Sequence, residues 1–111
     1  INLVTKHLAP KIFRTRKSKL ETLIKRHIER TQADLVISVI PFVNCPATEA
    51  ARKCGVPYLL ITLDNDLQMW VHGLQGIQHP HFKVTVASDS WNNREMLRKR
   101  KIPDSSIAPI G

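Results

Sequence analysis

Residues 33–63, ADLVISVIPFVNCPATEAARKCGVPYLLITL, decide the architecture. Ala33 to Ile40 is a short, β-branched run closed by Pro41, the pattern of a strand buried on both faces of a parallel sheet. Residues 46–54, PATEAARKC, open on Pro46, a good first helical residue, and run through alanines. They stop at Gly55, whose missing Cβ suits a C-terminal cap. Val56 to Leu63 then repeats the apolar strand character. The spacing leaves room for one right-handed crossover, so the two strands are expected to be parallel.

Upstream, residues 17–30, KSKLETLIKRHIER, place Leu20, Leu23, Ile24 and Ile28 on one helical face, with Ser18 and Glu21 as a capping box. Downstream, residues 64–82 hold Gly73, Gly76, Pro80 and three histidines without a sustained period. This predicts a short helix near Leu67 to His72 and then an exposed loop. Lys83 to Ala87 is a third strand, Ser90 to Lys101 a basic amphipathic helix, and Ile107 to Ile110 a fourth strand. Strands and helices alternate throughout, which predicts an α/β fold with a doubly wound, mostly parallel sheet and flanking helices. Residues 1–16 are expected to be a basic N-terminal segment and residues 17–111 a partial Rossmann-like domain.

The chain has 111 residues, 42% of them hydrophobic, which suits one packed domain. No apolar run approaches the roughly 18–20 residues that cross a bilayer, because Asp34 and Pro41 bound the longest one. The sequence opens on Ile1 without a basic-then-apolar leader and is expected to be a fragment of a longer protein. The formal net charge is +8, with nine basic and two acidic side chains in residues 1–30 and a mildly acidic middle. Such a field attracts phosphates on nucleic acid, lipid or nucleotide without choosing among them. Cys45 and Cys54 fall about 13 Å apart if they share one helix, too far for a disulfide. They read as small buried residues of a reducing, cytosolic compartment.

Ligands of open parallel sheets bind beyond the carboxyl ends of the strands. Three segments reach that edge: Pro41 to Asn44, Asp64 to Asp66, and Ser88 to Ser90. Asp64 and Asp66 are the most chemical-looking pair, since a carboxylate there can orient a sugar hydroxyl or accept its proton; the same Asp-Asn-Asp is also a turn that caps a helix. Asn44 is a candidate substrate ligand or a cap, and Ser88, Asp89 and Ser90 read as caps. Trp70 with Phe82 and Leu74 forms either an apolar lip over the cleft or ordinary packing. His72, His79 and His81 lack the spacing of zinc enzymes, and no metal or cofactor is expected. The chain carries no glycine-rich phosphate loop, Walker loop, Gly-x-Ser-x-Gly or Cys-His nucleophile pattern.

The order ADLVISVIPFVN, GVPYLLITLDND, FKVTVASD and a helix ending RKRKIPDSSIAPIG resembles the N-terminal half of monogalactosyldiacylglycerol synthase-like glycosyltransferases of the GT-B fold. The resemblance covers about residues 20–111 and is strongest from Ala33 onward. It implies a Rossmann-like acceptor-binding domain in which Asp64 is catalytic and faces an interdomain cleft. From the strand-edge reading, Asp66, Asn44 and Trp70 are the expected substrate-binding residues. It implies transfer of a hexosyl group from a UDP-sugar to a diacylglycerol-like lipid, the sugar nucleotide being held by a further C-terminal domain. The family's N-terminal glycine-rich loop with its histidine is missing, so the chain is not expected to transfer sugar alone. The protein is then cytoplasmic and peripheral on an anionic membrane, met by the basic N-terminal helix and by Arg94, Arg98, Lys99, Arg100 and Lys101. Those same cations equally suit a solvated helix end. The competing reading is a non-catalytic basic α/β module that binds nucleic acid or anionic membranes; no aromatic stripe or recognition-helix motif marks it as a nucleic-acid binder. A stand-alone regulatory domain of flavodoxin-like shape, binding a small phosphorylated ligand, lacks the phosphate loop it would need.

Overall fold

The computed structural model describes residues 2–63, 66–76 and 78–110, with side chains from residue 16 onward. The order of elements is α1 (Asn2–Thr31), β1 (Val36–Ser38), α2 (Asn44–Lys53), β2 (Tyr58–Leu60), α3 (Leu67–Trp70), β3 (Phe82–Val86), α4 (Trp91–Lys99) and β4 (Ile107–Pro109). Single 3₁₀ turns lie at Pro41–Val43 and Asp104–Ser106. The four strands form one parallel sheet in the order β1-β2-β3-β4, with Val36 opposite Tyr58, Tyr58 opposite Phe82, and Val84 opposite Ile107. This is an α/β domain of Rossmann-like character, with β1 and β2 shorter than the apolar runs that foretold them.

Strand alternation explains the core. Val36, Ser38, Tyr58, Leu60, Phe82, Val84, Val86 and Ile107 point to one face, where Ala47 and Ala51 of α2, Leu67 of α3, Val71, Leu74, Leu97 of α4 and Ile102 meet them. Tyr58 and Phe82, neighbours across the β2–β3 seam, stack with ring centroids 5.7 Å apart. Such a pair adds about 0.5–1.5 kcal/mol beyond its buried area. α1 joins by laying Ile24 and Ile28 on Ala50, Val56 and Val36. Glu21 of α1 also holds Lys53 at the end of α2 at 3.2 Å.

The sheet departs from the doubly wound expectation. A doubly wound sheet reverses its strand order, whereas the described strands advance in one direction. Right-handed crossovers then bring α2, α3 and α4 to the same side, where one core contains residues of all three. The other face carries Ile37, with Leu35 and Val39 flanking it and Leu63 beyond β2, all exposed; Ile37 is 56% exposed and Leu63 67%. No described helix packs there.

Two further differences concern helix ends. The predicted start at Lys17 is absent: α1 is continuous from Asn2, and it crosses the expected boundary at residue 16. Ser18 lies inside it, its carbonyl accepting the Thr22 hydroxyl at 3.0 Å, and Glu21 turns to Lys53 instead of closing a capping box. At the C-termini, α2 ends as its glycine implies: Gly55 has φ +68°, the Val56 N–H donates to the Ala51 carbonyl at 2.9 Å and the Gly55 N–H to that of Arg52 at 3.1 Å. α1 and α4 end in the same paired-bond motif without glycine. Gln32 (φ 52°) and Lys101 (φ 58°) occupy the left-handed position, and Ala33 and Ile102 close the outer bonds onto Ile28 and Leu97.

Candidate functional site

The carboxyl edge of the sheet is built by short-range chemistry. Past the end of β1, Ser38 Oγ meets the backbone of Ile40, and buried Pro41 starts the 3₁₀ turn that thrusts Phe42 outward at 78% exposure. Past β2, the Ile61 N–H donates to the Ser38 carbonyl at 2.9 Å. Thr62 then grips Thr85 twice, its N–H donating to Thr85 Oγ1 at 3.0 Å and its hydroxyl to the Thr85 carbonyl at 2.8 Å. These bonds carry the β2–β3 seam to the edge two residues before Asp64. Asp64 itself, the residue on which the sequence reading placed catalysis, lies outside the described residues.

Asp66 stands at the start of α3, where its Oδ1 accepts the Met69 N–H at 3.4 Å; it is the helix cap the sequence allowed, and its side chain remains exposed. Asn44 is buried. Its Nδ2 donates to the Trp70 carbonyl at 2.7 Å and the His72 carbonyl at 3.0 Å, while its own carbonyl accepts the Thr48 hydroxyl. Asn44 therefore clamps α3 to the start of α2. Trp70 is 7% exposed, with Phe82 and Leu74 more deeply buried, so this trio is packing and not a lip. Three buried polar atoms have no hydrogen-bond partner among the described residues: Asn44 Oδ1, the Tyr58 hydroxyl and Trp70 Nε1. Burial pushes the Tyr58 phenol above its ordinary pKa, with the nearby Ser38 and Thr48 hydroxyls opposing the rise.

Phe42, from a segment the sequence placed at the same edge as Asp66, lines a cavity of about 410 Å³ with it, together with four side chains the sequence did not join to them: Gln68, Met69, His72 and Arg100. Phe42 comes from the turn after β1, the middle residues from α3 and its exit, and Arg100 from the end of α4. The Arg100 guanidinium donates to the Val71 carbonyl at 3.3 Å, and its own carbonyl accepts the Gly76 N–H at 2.9 Å. Three separate segments are thus tied together around the opening, by Asn44 on one side and Arg100 on the other.

The basic end of α4 is less basic than its composition. Arg94 pairs with Asp89, and Arg98 pairs with Glu95 at 2.8 Å and Asp104 at 3.0 Å. Hydrogen bonding to these guanidiniums holds the Asp89 and Asp104 carboxyls below their ordinary range. Arg100 turns to the cavity, which leaves Lys99 and Lys101, of the five, as the exposed cations without an ion pair among the described residues. Ser90 caps α4, accepting the Asn93 N–H at 3.1 Å, and Asn93 Nδ2 donates to the Ser88 carbonyl at 2.9 Å, so the third edge segment is occupied by capping.

The histidines divide in the same way. His79 is buried, with Nε2 on the Val56 carbonyl at 2.6 Å and Nδ1 accepting the His81 N–H at 3.1 Å; these contacts staple the loop to the chain just before β2. His72 is exposed in the cavity wall. Among the described residues no three His, Cys, Asp or Glu side chains assemble a metal site, and no helix is long and apolar enough to cross a membrane. Compared with known proteins, the chain matches no family model, no curated protein and no solved structure.

Proposed function

We propose that the chain is the acceptor-side wall of a GT-B-type glycosyltransferase that moves a hexosyl group from a UDP-sugar to a diacylglycerol-like lipid at an anionic membrane surface. The observation that carries this reading is a coincidence of order. Each strand segment through which the chain resembles the monogalactosyldiacylglycerol synthase-like enzymes coincides with a strand of one parallel sheet, and in the sequence the acidic stretch follows the β2 segment. In this scheme Asp64 takes the proton of the acceptor hydroxyl as its oxygen attacks the anomeric carbon, and the nucleoside diphosphate leaves with inversion. The donor sits on a second α/β domain beyond residue 111, and the fold is half of a two-domain enzyme.

The test is made on the longer protein that this reading requires. Radiolabelled UDP-hexoses and diacylglycerol in mixed anionic vesicles should yield glycolipid. Asp64→Asn should lower turnover by about a hundredfold or more, far more than Asp66→Asn, whose residue caps α3 and lines the neighbouring cavity. No transfer from any UDP-hexose, or small equal losses for both variants, refutes the assignment.

A second reading is favoured by one observation. Arg16, Lys19, Arg26 and Arg30 are exposed along one side of α1 at helical spacing, around exposed Leu23. A basic module binding polyanions without catalysis uses such a stripe. Its mark is duplex binding that weakens steeply with salt and exceeds binding to anionic vesicles.

A further inference from the structure

We infer that the cavity between the turn after β1 and α3 is a binding site for a neutral, polyhydroxylated ring: a sugar or a sugar-like headgroup. Its lining divides into a platform and a rim. Phe42 and Met69 are both exposed to solvent, at 78% and 42%, and supply an aromatic and a polarizable apolar surface. Asp66, Gln68, His72 and Arg100 supply acceptors and donors around it.

The charges choose among ligand classes. Asp66 and Arg100 offset each other, each repelling the ion the other attracts, so neither a simple anion nor a simple cation meets an unopposed partner. A purely apolar ligand would strip water from four polar side chains without replacing their hydrogen bonds. A ring with an apolar face and hydroxyls at its edge satisfies both parts at once. The volume of about 410 Å³ falls within the usual range of small-ligand sites. The frame is set in advance: Asn44 holds the carbonyls of Trp70 and His72, Arg100 holds that of Val71, and Asp66 caps α3. The backbone is thus fixed before binding, and what remains to be ordered is the exposed side chains that meet the ligand.

This deepens the acceptor reading and rests on it only for its place in catalysis: the preferred acceptor would already carry a sugar head. Binding itself is tested on the 111-residue chain. The chain has two methionines, Met69 in the cavity wall and Met96, partly buried against the core, so methyl-labelled methionine gives a probe and a control in one NMR spectrum. Titration with methyl β-D-galactopyranoside and methyl β-D-glucopyranoside should shift Met69 saturably, with a dissociation constant on the order of millimolar for ligands of this size, and leave Met96 in place. Phe42→Ala, at a position exposed enough to spare the fold, should weaken binding at least fivefold, and Gln68→Ala should weaken it severalfold; an unmoved Met96 signal certifies both variants as folded. No shift at Met69, equal shifts at both methionines, or undiminished binding by Phe42→Ala overturns the proposal. So does tighter binding of inorganic phosphate than of either glycoside. Loss of the glycosyltransferase reading in the transfer assay would leave this titration unchanged, so the two failures are separable.

Discussion

Replacing Asn44 with alanine should destabilise the domain by about 2–4 kcal/mol, because Asn44 is a clamp. Its amide donates two hydrogen bonds, at 2.7 Å and 3.0 Å, to carbonyls of Trp70 and His72 more than twenty residues away. Each bond has a net value of about 1 kcal/mol, and a buried carbonyl stripped of its donor costs about 1–3 kcal/mol. The Trp70 acceptor is buried and bears the full loss; the His72 acceptor is only partly buried, and water replaces much of that bond. The Oδ1 atom has no partner to lose, so its removal offsets part of the cost. With a urea m-value of about 1–2 kcal/mol/M for a domain of this size, the midpoint should fall by about 2 M, read by circular dichroism. Asn44→Asp should be worse at neutral pH, since a carboxylate would face two carbonyl oxygens, and should recover as acid restores one donor. A midpoint shift equivalent to less than about 0.5 kcal/mol for Asn44→Ala, together with loss of ligand binding, would refute the clamp and return Asn44 to the role of a substrate ligand.

Three further outcomes are expected. Lys101→Gly should raise stability by about 0.5–1 kcal/mol in the same unfolding assay, since relief of a left-handed non-glycine residue outweighs glycine's added chain entropy; Lys101→Val should lower it. The Asp89, Asp104 and Glu49 carboxyls are held low by hydrogen bonds to Arg94, Arg98 and Arg52. Their contribution is complete above the ordinary carboxyl range and disappears as pH falls through the lowered values, below about pH 4. Unfolding curves at graded pH should show this loss, and salt should shrink it because the pairs are exposed. Ile37→Lys on the uncovered sheet face should change the stability of the 111-residue chain by no more than about 0.5 kcal/mol, where a position packed beneath a helix would cost several times that.

The first three strands, α2 and α4 were legible because continuous β-branched runs and alanine-rich helices are local signals. The glycine at residue 55 marked a helix end for a local reason as well. Gln32 and Lys101 perform the same task with side chains that carry no such mark, and their conformation follows from burying Ala33 and Ile102 against the preceding turn. Ser18 and Glu21 imitated a helix start inside a longer helix, since a capping box is also an ordinary helical sequence. The direction of winding depends on which strands become neighbours, a long-range matter that the alternation of elements leaves open. The cavity was legible in part: Asp66 stood out as an acid after a strand. Phe42 and Arg100 lie 58 residues apart in sequence and join it only through the packing of α3 between them. The burial of Trp70 was not legible either: it sits on α3, whose end is held by Asn44, 26 residues earlier, through the Trp70 carbonyl.

The one-way progression of the four strands limits how this sheet can be extended. Continuation past β4 in the same sense adds helices to the side already clothed. Only a ribbon joining alongside β1, from a unit travelling in the opposite sense, brings its helix over Ile37 and its neighbours. The margin at β1 is therefore the place where added chain would dry the bare flank, and an apolar cover docked there would convert a half-wetted parallel sheet into one enclosed on both sides.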